Sequence, residues 1–266
     1  MKSNIVRLKG IKIWNFKNVG YGELSFENTR KPYAASILGL YGQNGSGKTA
    51  LIDALSLLKY LLMGQQVPSK FADCINVNAP SSSFQFNFKV ICGTENHTEF
   101  DVEYTCSIRK DADENAANME QTPKYKVTVF NEILSASFKN EQKKSRFCPL
   151  IDTRTNGVFL PASKYKLFAG SEKTVEMDLL IAKRLTAATA RTFIFSRELA
   201  SVIYNHCCEE LYLAMYRALV DYGNFELFII DTTNSGLISI NALPLAFSYE
   251  NEGRIAVGSI MLRLNG

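Results

Sequence analysis

The chain has 266 residues, of which 46% are hydrophobic and 21% charged, and its formal net charge is +4. These values predict a globular protein that buries a hydrophobic core. The small positive charge is compatible with a nucleic-acid-binding surface but does not indicate one. Six cysteines without a C-x-x-C pair and only two histidines argue against a zinc ribbon or a His-rich metal site. With no signal peptide and no apolar run of membrane length, we expect a cytoplasmic protein without a membrane partner.

The beginning of the chain alternates strand and turn signals. Residues 5–16 alternate between two faces and predict a strand with a bulge at Gly10, and residues 22–26 predict a second strand after a turn at 15–20. Residues 34–41 are a short apolar run that predicts a buried strand. Two antiparallel strands before this third strand indicate a mixed sheet and not a plain doubly wound one.

The most specific motif follows this third strand. Residues 42–49 fit the phosphate-binding loop pattern G-x-x-x-x-G-K-[ST], and leucines at helical spacing over 50–62 predict the helix that such a loop opens. Loop glycines let backbone N–H groups approach a β-phosphate at the positive end of the helix. Lys48 is the predicted catalytic residue, a point charge for the β- and γ-phosphates, and the Thr49 hydroxyl is the predicted Mg²⁺ ligand. The predicted nucleotide contacts in this region are Gly42, Gln43, Asn44, Gly45, Ser46, Gly47, Lys48, Thr49 and Ala50.

The middle of the chain has the pattern of antiparallel strands. Residues 83–90 and 98–108 alternate strictly around a hairpin signal at 93–96. Further strands are expected over 124–134 and 136–138. These strands predict an antiparallel β lobe.

The remainder mixes helix and strand signals. Apolar residues three and four apart predict helices over 175–190 and 197–222, with their apolar stripes in the core. Short apolar runs predict later strands over 225–230, 237–240, 247–249 and 255–264. The whole pattern predicts an α/β fold with a mixed sheet, an inserted antiparallel β lobe and a helical segment, divided at 1–82, 83–140 and 141–266.

Three pieces of this sequence resemble the opening of ABC-type ATPase heads of the SMC, RecF and Rad50 kind. They are residues 11–19, with an Asn-Phe pair at the end of the first strand, residues 38–49 with the loop, and residues 51–55. More closely the chain resembles the OLD-like or AAA15-type ATPases of bacterial antiphage defence systems. The resemblance implies a P-loop NTPase that binds ATP with Mg²⁺. It also implies that Asn15, Phe16 and Lys17 contact the base and ribose, with core packing as the alternative for Phe16.

The resemblance further implies partners. Such heads pair head to tail across bound ATP, so we expect a homo-oligomer. In these relatives the effector is often a Toprim-type or HNH nuclease, so the chain is expected to act as a sensor or regulatory subunit. RecF-like heads bind DNA, which leaves DNA open as a partner on fold analogy alone.

Two motifs of these heads are not found in the sequence: a leucine-serine-x-glycine signature and an apolar strand ending in Asp-Glu, whose Glu orients the attacking water. Asp231 ends an apolar run without a following Glu, so a turn role is the alternative to Mg²⁺ support. Gln85 and Gln142 are available for the glutamine that contacts Mg²⁺. We therefore expect the N-terminal part of a longer ATPase, which hydrolyses ATP only when the missing motifs are supplied.

Other functions stay open at this point. A non-hydrolysing nucleotide-binding scaffold fits the missing motifs, and a DNA repair ATPase of the SMC kind fits the resemblance. A GTPase is disfavoured because there is no Asn-Lys-x-Asp base reader, and a small-molecule kinase because the arginines over 184–197 are too widely spaced for a lid. Arg154, Lys164 and Lys166 are candidates for contacts with phosphates or with a partner.

Overall fold

The structure is a computed structural model that describes residues 4–27, 38–93, 98–112, 125–139, 144–154, 173–188, 191–207, 209–229, 247–250, 254–257 and 260–263. Its framework is a six-stranded sheet in which neighbouring strands run antiparallel, in the order β2-β1-β3-β4-β5-β6. The strands are β1 (Ile5–Phe16), β2 (Val19–Ser25), β3 (Ser81–Cys92), β4 (Thr98–Ala112), β5 (Tyr125–Lys139) and β6 (Cys148–Asp152).

Helices follow the first two strands and the last strand of this sheet. They are α1 (Lys48–Leu62), a 3₁₀ helix (Ser69–Cys74), α2 (Lys173–Ala188), α3 (Arg197–His206), α4 (Glu210–Asp221) and a π-helical turn (Tyr222–Glu226). A second, three-stranded antiparallel sheet consists of β7 (Phe247–Glu250), β8 (Arg254–Val257) and β9 (Ile260–Arg263).

Several sequence predictions are confirmed. The first strand has the predicted bounds, and its pairing with β3 shifts between Leu8 and Gly10, which places the bulge at this point. The hairpin partners β3 and β4 pair antiparallel in continuous register from Ser81 to Cys92. These elements were predictable because strict alternation and turn residues are local signals.

Other predictions differ from the structure. Residues 38–41 form no strand. Every strand pairing among the described residues is antiparallel, so the described residues do not contain the parallel strands that a mixed sheet requires. The helix predicted over 197–222 is divided, because Cys207 has an extended backbone at the end of α3. The strand predicted over 225–230 is wrong for the described residues 225–229, which belong to the π-helical turn and to a segment after it that is neither helix nor strand. The strand predicted over 237–240 lies outside the described residues.

The division at 1–82, 83–140 and 141–266 stays a prediction. In the structure, β3 pairs with β1 directly across the first of these boundaries. The strands assigned to the lobe therefore extend the sheet that begins with β1 and β2.

The core lies on one face of the sheet. Alternate residues of β3 point to that face, so Phe84, Phe86 and Phe88 are each at most 1% exposed. Phe16 at the end of β1 meets Phe84 edge to face, with ring centroids 5.0 Å apart. Helices α1 and α4 bury their apolar sides in the same core.

One carboxylate is fully buried in this core. Glu132 on β5 accepts hydrogen bonds from the Tyr104 hydroxyl at 2.8 Å, the Phe193 N–H at 2.6 Å and the Thr192 hydroxyl. Burial raises the pKa of Glu132, while these donors oppose the shift by stabilising its charged form. Because two of the donors belong to residues 191–196, Glu132 fastens the segment before α3 to the sheet.

Gly64 allows the end of α1 to pack against that same segment. Its φ is +62°, and a Cβ at this position would lie 2.3 Å from the Phe195 carbonyl oxygen. A side chain would therefore meet both backbone strain and a rigid neighbour.

We predict that Gly64→Ala lowers the free energy of unfolding by about 2–4 kcal/mol, because strain and overpacking add at this position. Chemical denaturation measures the loss. Gly20→Ala is the matched control, since no atom lies within 4 Å of its added Cβ, and a change within about 0.5 kcal/mol is expected there. Equal stability of the two variants would contradict this packing.

Candidate functional site

The predicted phosphate-binding loop leads into α1. Gly45 and Gly47 have φ values of +86° and +89°, in the left-handed region that favours glycine. A Cβ on Gly47 would also lie 3.1 Å from a methyl group of Val19. The backbone of this loop therefore depends on the glycine residues that the sequence pattern specifies.

Lys48 folds back over the loop. Its ammonium group donates to the carbonyl oxygens of Gly42 at 2.7 Å and Gln43 at 2.8 Å, and to the Ser46 hydroxyl at 3.1 Å. None of these acceptors is a carboxylate, so the contacts orient the positive charge without neutralising it. A phosphate group at the loop would meet a cation that is already positioned.

The start of α1 supplies further donors. The Leu51 N–H bonds to the Gly47 carbonyl oxygen at 3.0 Å, so the N–H groups of Lys48, Thr49 and Ala50 precede the first helical hydrogen bond. The Thr49 side chain is exposed, as a metal ligand requires, whereas the Ala50 side chain is buried. Ala50 can therefore serve a ligand only through its backbone. Gln43 and Asn44 are exposed on the same loop.

The turn between β1 and β2 holds the loop and the helix. The Asn18 side-chain amide donates to the Gly45 carbonyl oxygen, and the Lys17 ammonium pairs with the Asp53 carboxylate on α1. The turn itself is tightly wound, with positive φ at Asn15 and Lys17. Asn15 is anchored through its carbonyl oxygen, which accepts from the Ser82 hydroxyl at 2.6 Å.

The three residues expected to contact the base and ribose have different surroundings. Asn15 is exposed, and Lys17 is directed to Asp53. The Phe16 side chain has no exposed surface, so it packs the core and offers no face to a ligand. Asn18 was not among the predicted site residues, although it lies in the predicted turn and contacts the loop. No pattern within the sequence indicates that contact, because Asn18 and Gly45 are distant along the chain.

A groove of about 490 Å³ adjoins the loop. Lys48 and Ser46 line one part of it, and Val19, Tyr21 and Tyr41 line another. The groove thus combines a cationic, N–H-rich part with an aromatic and aliphatic part, which suits a phosphate chain joined to a flat ring.

Glu23 also lines this groove. The Tyr21 hydroxyl donates to Glu23 at 2.8 Å, and this bond lowers the pKa of the Glu23 carboxyl. Glu23 therefore stays ionised at neutral pH.

The remaining predicted site residues are not brought to the loop by any described contact. The Gln85 amide donates to Glu103 at 2.7 Å, and Arg154 pairs with Asp152 at 2.6 Å. Asp231, Gln142, Lys164 and Lys166 lie outside the described residues. Within the described ranges, no cluster of three or more His, Cys, Asp or Glu side chains could hold a metal ion. Magnesium at this loop would be bound through Thr49, phosphate oxygens and water.

A family model described as an AAA domain matches residues 7–183. The chain belongs to this family. The match begins within β1 and includes the loop and α1, and it supports a P-loop ATPase of the SMC/Rad50-like kind. Domains of this family generally bind ATP with Mg²⁺. Comparison with curated proteins finds no match. Over the part of the chain that the structure describes, no helix is long and apolar enough to cross a bilayer.

We predict that Asn18→Ala weakens ATP binding about 2–10-fold, because the loop loses one hydrogen bond that fixes the Gly45 peptide. Calorimetric titration with ATP and Mg²⁺ measures the change, and the melting temperature reports on folding. Asn78→Ala is the matched control at an exposed position outside the loop and the turn. Unchanged affinity in Asn18→Ala would show that the turn does not shape the loop.

Proposed function

We propose that this chain is the ATP-binding head of an ABC-type ATPase and that its loop binds Mg²⁺-ATP. The observation that carries the proposal is the Lys48 ammonium, held over the loop mouth by Gly42, Gln43 and Ser46. The Lys48 ammonium and the N–H groups at the start of α1 belong to the same junction of loop and helix, and they supply the charge and the donors that a β- and γ-phosphate need. Family membership supports ATP as the nucleotide.

We further propose that ATP binding by this head controls an effector. The sequence resembles OLD-like and AAA15-type ATPases, and on that resemblance the effector is a nuclease and the setting is antiphage defence in the cytoplasm. Head-to-tail pairing of two chains across ATP would couple the nucleotide state to assembly. A sensor role is consistent with the turn at Lys17 and Asn18, because that turn contacts both the loop and α1.

Lys48→Ala tests the binding part of the proposal. We expect ATP affinity to fall below detection, because the variant removes the one cation that the loop positions. Lys144→Ala is the matched control, an equal charge change at an exposed lysine outside the loop, and it is expected to bind ATP normally. Full affinity of Lys48→Ala would refute the assignment of the site.

Thr49→Ala tests the metal part. We expect ATP affinity to lose its dependence on Mg²⁺, while binding of ATP without metal changes little, because only the metal contact is removed. Thr49→Ser keeps the hydroxyl and should keep the Mg²⁺ dependence. Titrations with and without Mg²⁺ measure both variants, and an intact Mg²⁺ effect in Thr49→Ala would argue against this ligand.

Single-turnover hydrolysis separates an ATPase from a scaffold that only binds nucleotide. Purified protein in molar excess is mixed with labelled ATP and Mg²⁺, and its phosphate release is compared with that of the Lys48→Ala variant. Release that depends on both Mg²⁺ and Lys48 would reject the scaffold. No release above the variant would favour the scaffold for this chain by itself.

A further inference from the structure

A second pocket lies between the sheet and the helices that follow it. It has a volume of about 330 Å³ and is lined from β5, from the chain after β6, from α2 and from the segment before α3. Three of the lining side chains are cationic: Arg154, Lys183 and Arg191. No residue of the loop 42–49 lines this pocket, so it is distinct from the proposed ATP site.

Arg191 is the most informative of these cations. Its Nε is buried, and within the described ranges it has no hydrogen-bond partner. The Arg191 side chain as a whole is half-buried, so its Nε is the part of the guanidinium that lacks both water and a partner. The Arg191 backbone is fixed by a bridge to Gln66, just after α1. A cation with a buried, unsatisfied donor at a pocket indicates an acceptor that enters from outside.

The other two cations reinforce this charge. The Arg154 guanidinium forms a fork on the Asp152 carboxylate, with Nε–Oδ1 at 3.0 Å and Nη2–Oδ2 at 2.6 Å, and this contact fixes its position. Burial lowers the pKa of the Lys183 ammonium. A bound anion would stabilise the charged form of Lys183 and reverse that effect.

The Glu132 carboxylate, which also lines the pocket, does not satisfy Arg191. The Glu132 oxygens accept from the hydroxyls of Tyr104 and Thr192 and from backbone N–H groups, and none of these donors is a cation. Even with Glu132 and Asp152 both ionised, the lining of the pocket stays cationic. Its electrostatic preference is therefore for an anion.

We propose that this pocket binds the phosphate group of a small phosphorylated molecule, with Arg191, Lys183 and Arg154 as its ligands. Arginine and lysine are the side chains that recognise phosphate oxygens, and the guanidinium donors match them in pairs. The volume is at the lower end for small-molecule sites and suits a phosphate with a compact substituent. Backbone phosphate of a nucleic acid offers the same chemistry, and the experiment separates the two sources.

The test uses protein that carries Lys48→Ala, so that binding at the loop does not contribute. Inorganic pyrophosphate is titrated by calorimetry at low ionic strength, and we expect saturable binding. Arg191→Gln in the same background should weaken it about tenfold or more, because a charged hydrogen bond is lost. Arg217→Gln, which removes an exposed arginine on α4, should bind as before.

Arg154→Gln is a second variant, at an exposed side chain, for the case that Arg191→Gln lowers the melting temperature. It should also weaken pyrophosphate binding. No saturable binding of pyrophosphate, or binding by both Arg191→Gln and Arg154→Gln that is as tight as that of the Lys48→Ala protein, would overturn the proposal. Single-stranded DNA of two lengths is the last arm. Affinity that appears only with DNA and falls steeply with salt would assign the pocket to backbone phosphates and overturn the small-molecule assignment. Because Lys48 is absent throughout, failure here leaves the ATP proposal untouched.

Discussion

The proposed nucleotide site depends on one turn that contacts both the loop and the helix. The turn between β1 and β2 contacts the loop through Asn18 and Gly45, and it contacts α1 through Lys17 and Asp53. A glycine-rich loop has many accessible conformations, so its shape must be fixed from outside. Here the edge of the sheet fixes it, and Lys48 then bonds to the carbonyls of a loop that is already shaped.

The far end of α1 is fixed by the core. Gly64 lets the chain pass close to the Phe195 carbonyl, and a Cβ on Gly223 would lie 2.4 Å from the Leu62 side chain. Glu132 fastens the segment before α3 to β5. The helix that begins at the phosphate loop is therefore packed, at its other end, against the segment that carries Arg191. The proposed ATP site and the proposed second anion site are therefore connected through packing around the same helix.

The two proposed anion sites would use different chemistry. At the loop, backbone N–H groups and one lysine face a groove beside the sheet edge, and the glycine residues allow close approach. In the second pocket, long side chains from separate elements converge beside a buried carboxylate. Backbone donors do not change with the sequence, whereas side-chain donors do. If the second pocket binds an anion as proposed, substitutions there would alter its ligand preference more readily than substitutions at the loop.

The sequence by itself determined the loop, α1, and the strands β1, β3 and β4, because glycine spacing and alternation are local signals. Only the tertiary structure decided that the Phe16 side chain packs in the core while the Asn18 side chain of the same turn bonds to Gly45 of the loop. It also decided where the helix predicted over 197–222 divides. Apolar spacing continues through Cys207, so no local signal marks that break. The second pocket could not be predicted from the sequence either. Its cations Arg154, Lys183 and Arg191 belong to elements that approach one another only when their apolar faces are buried together.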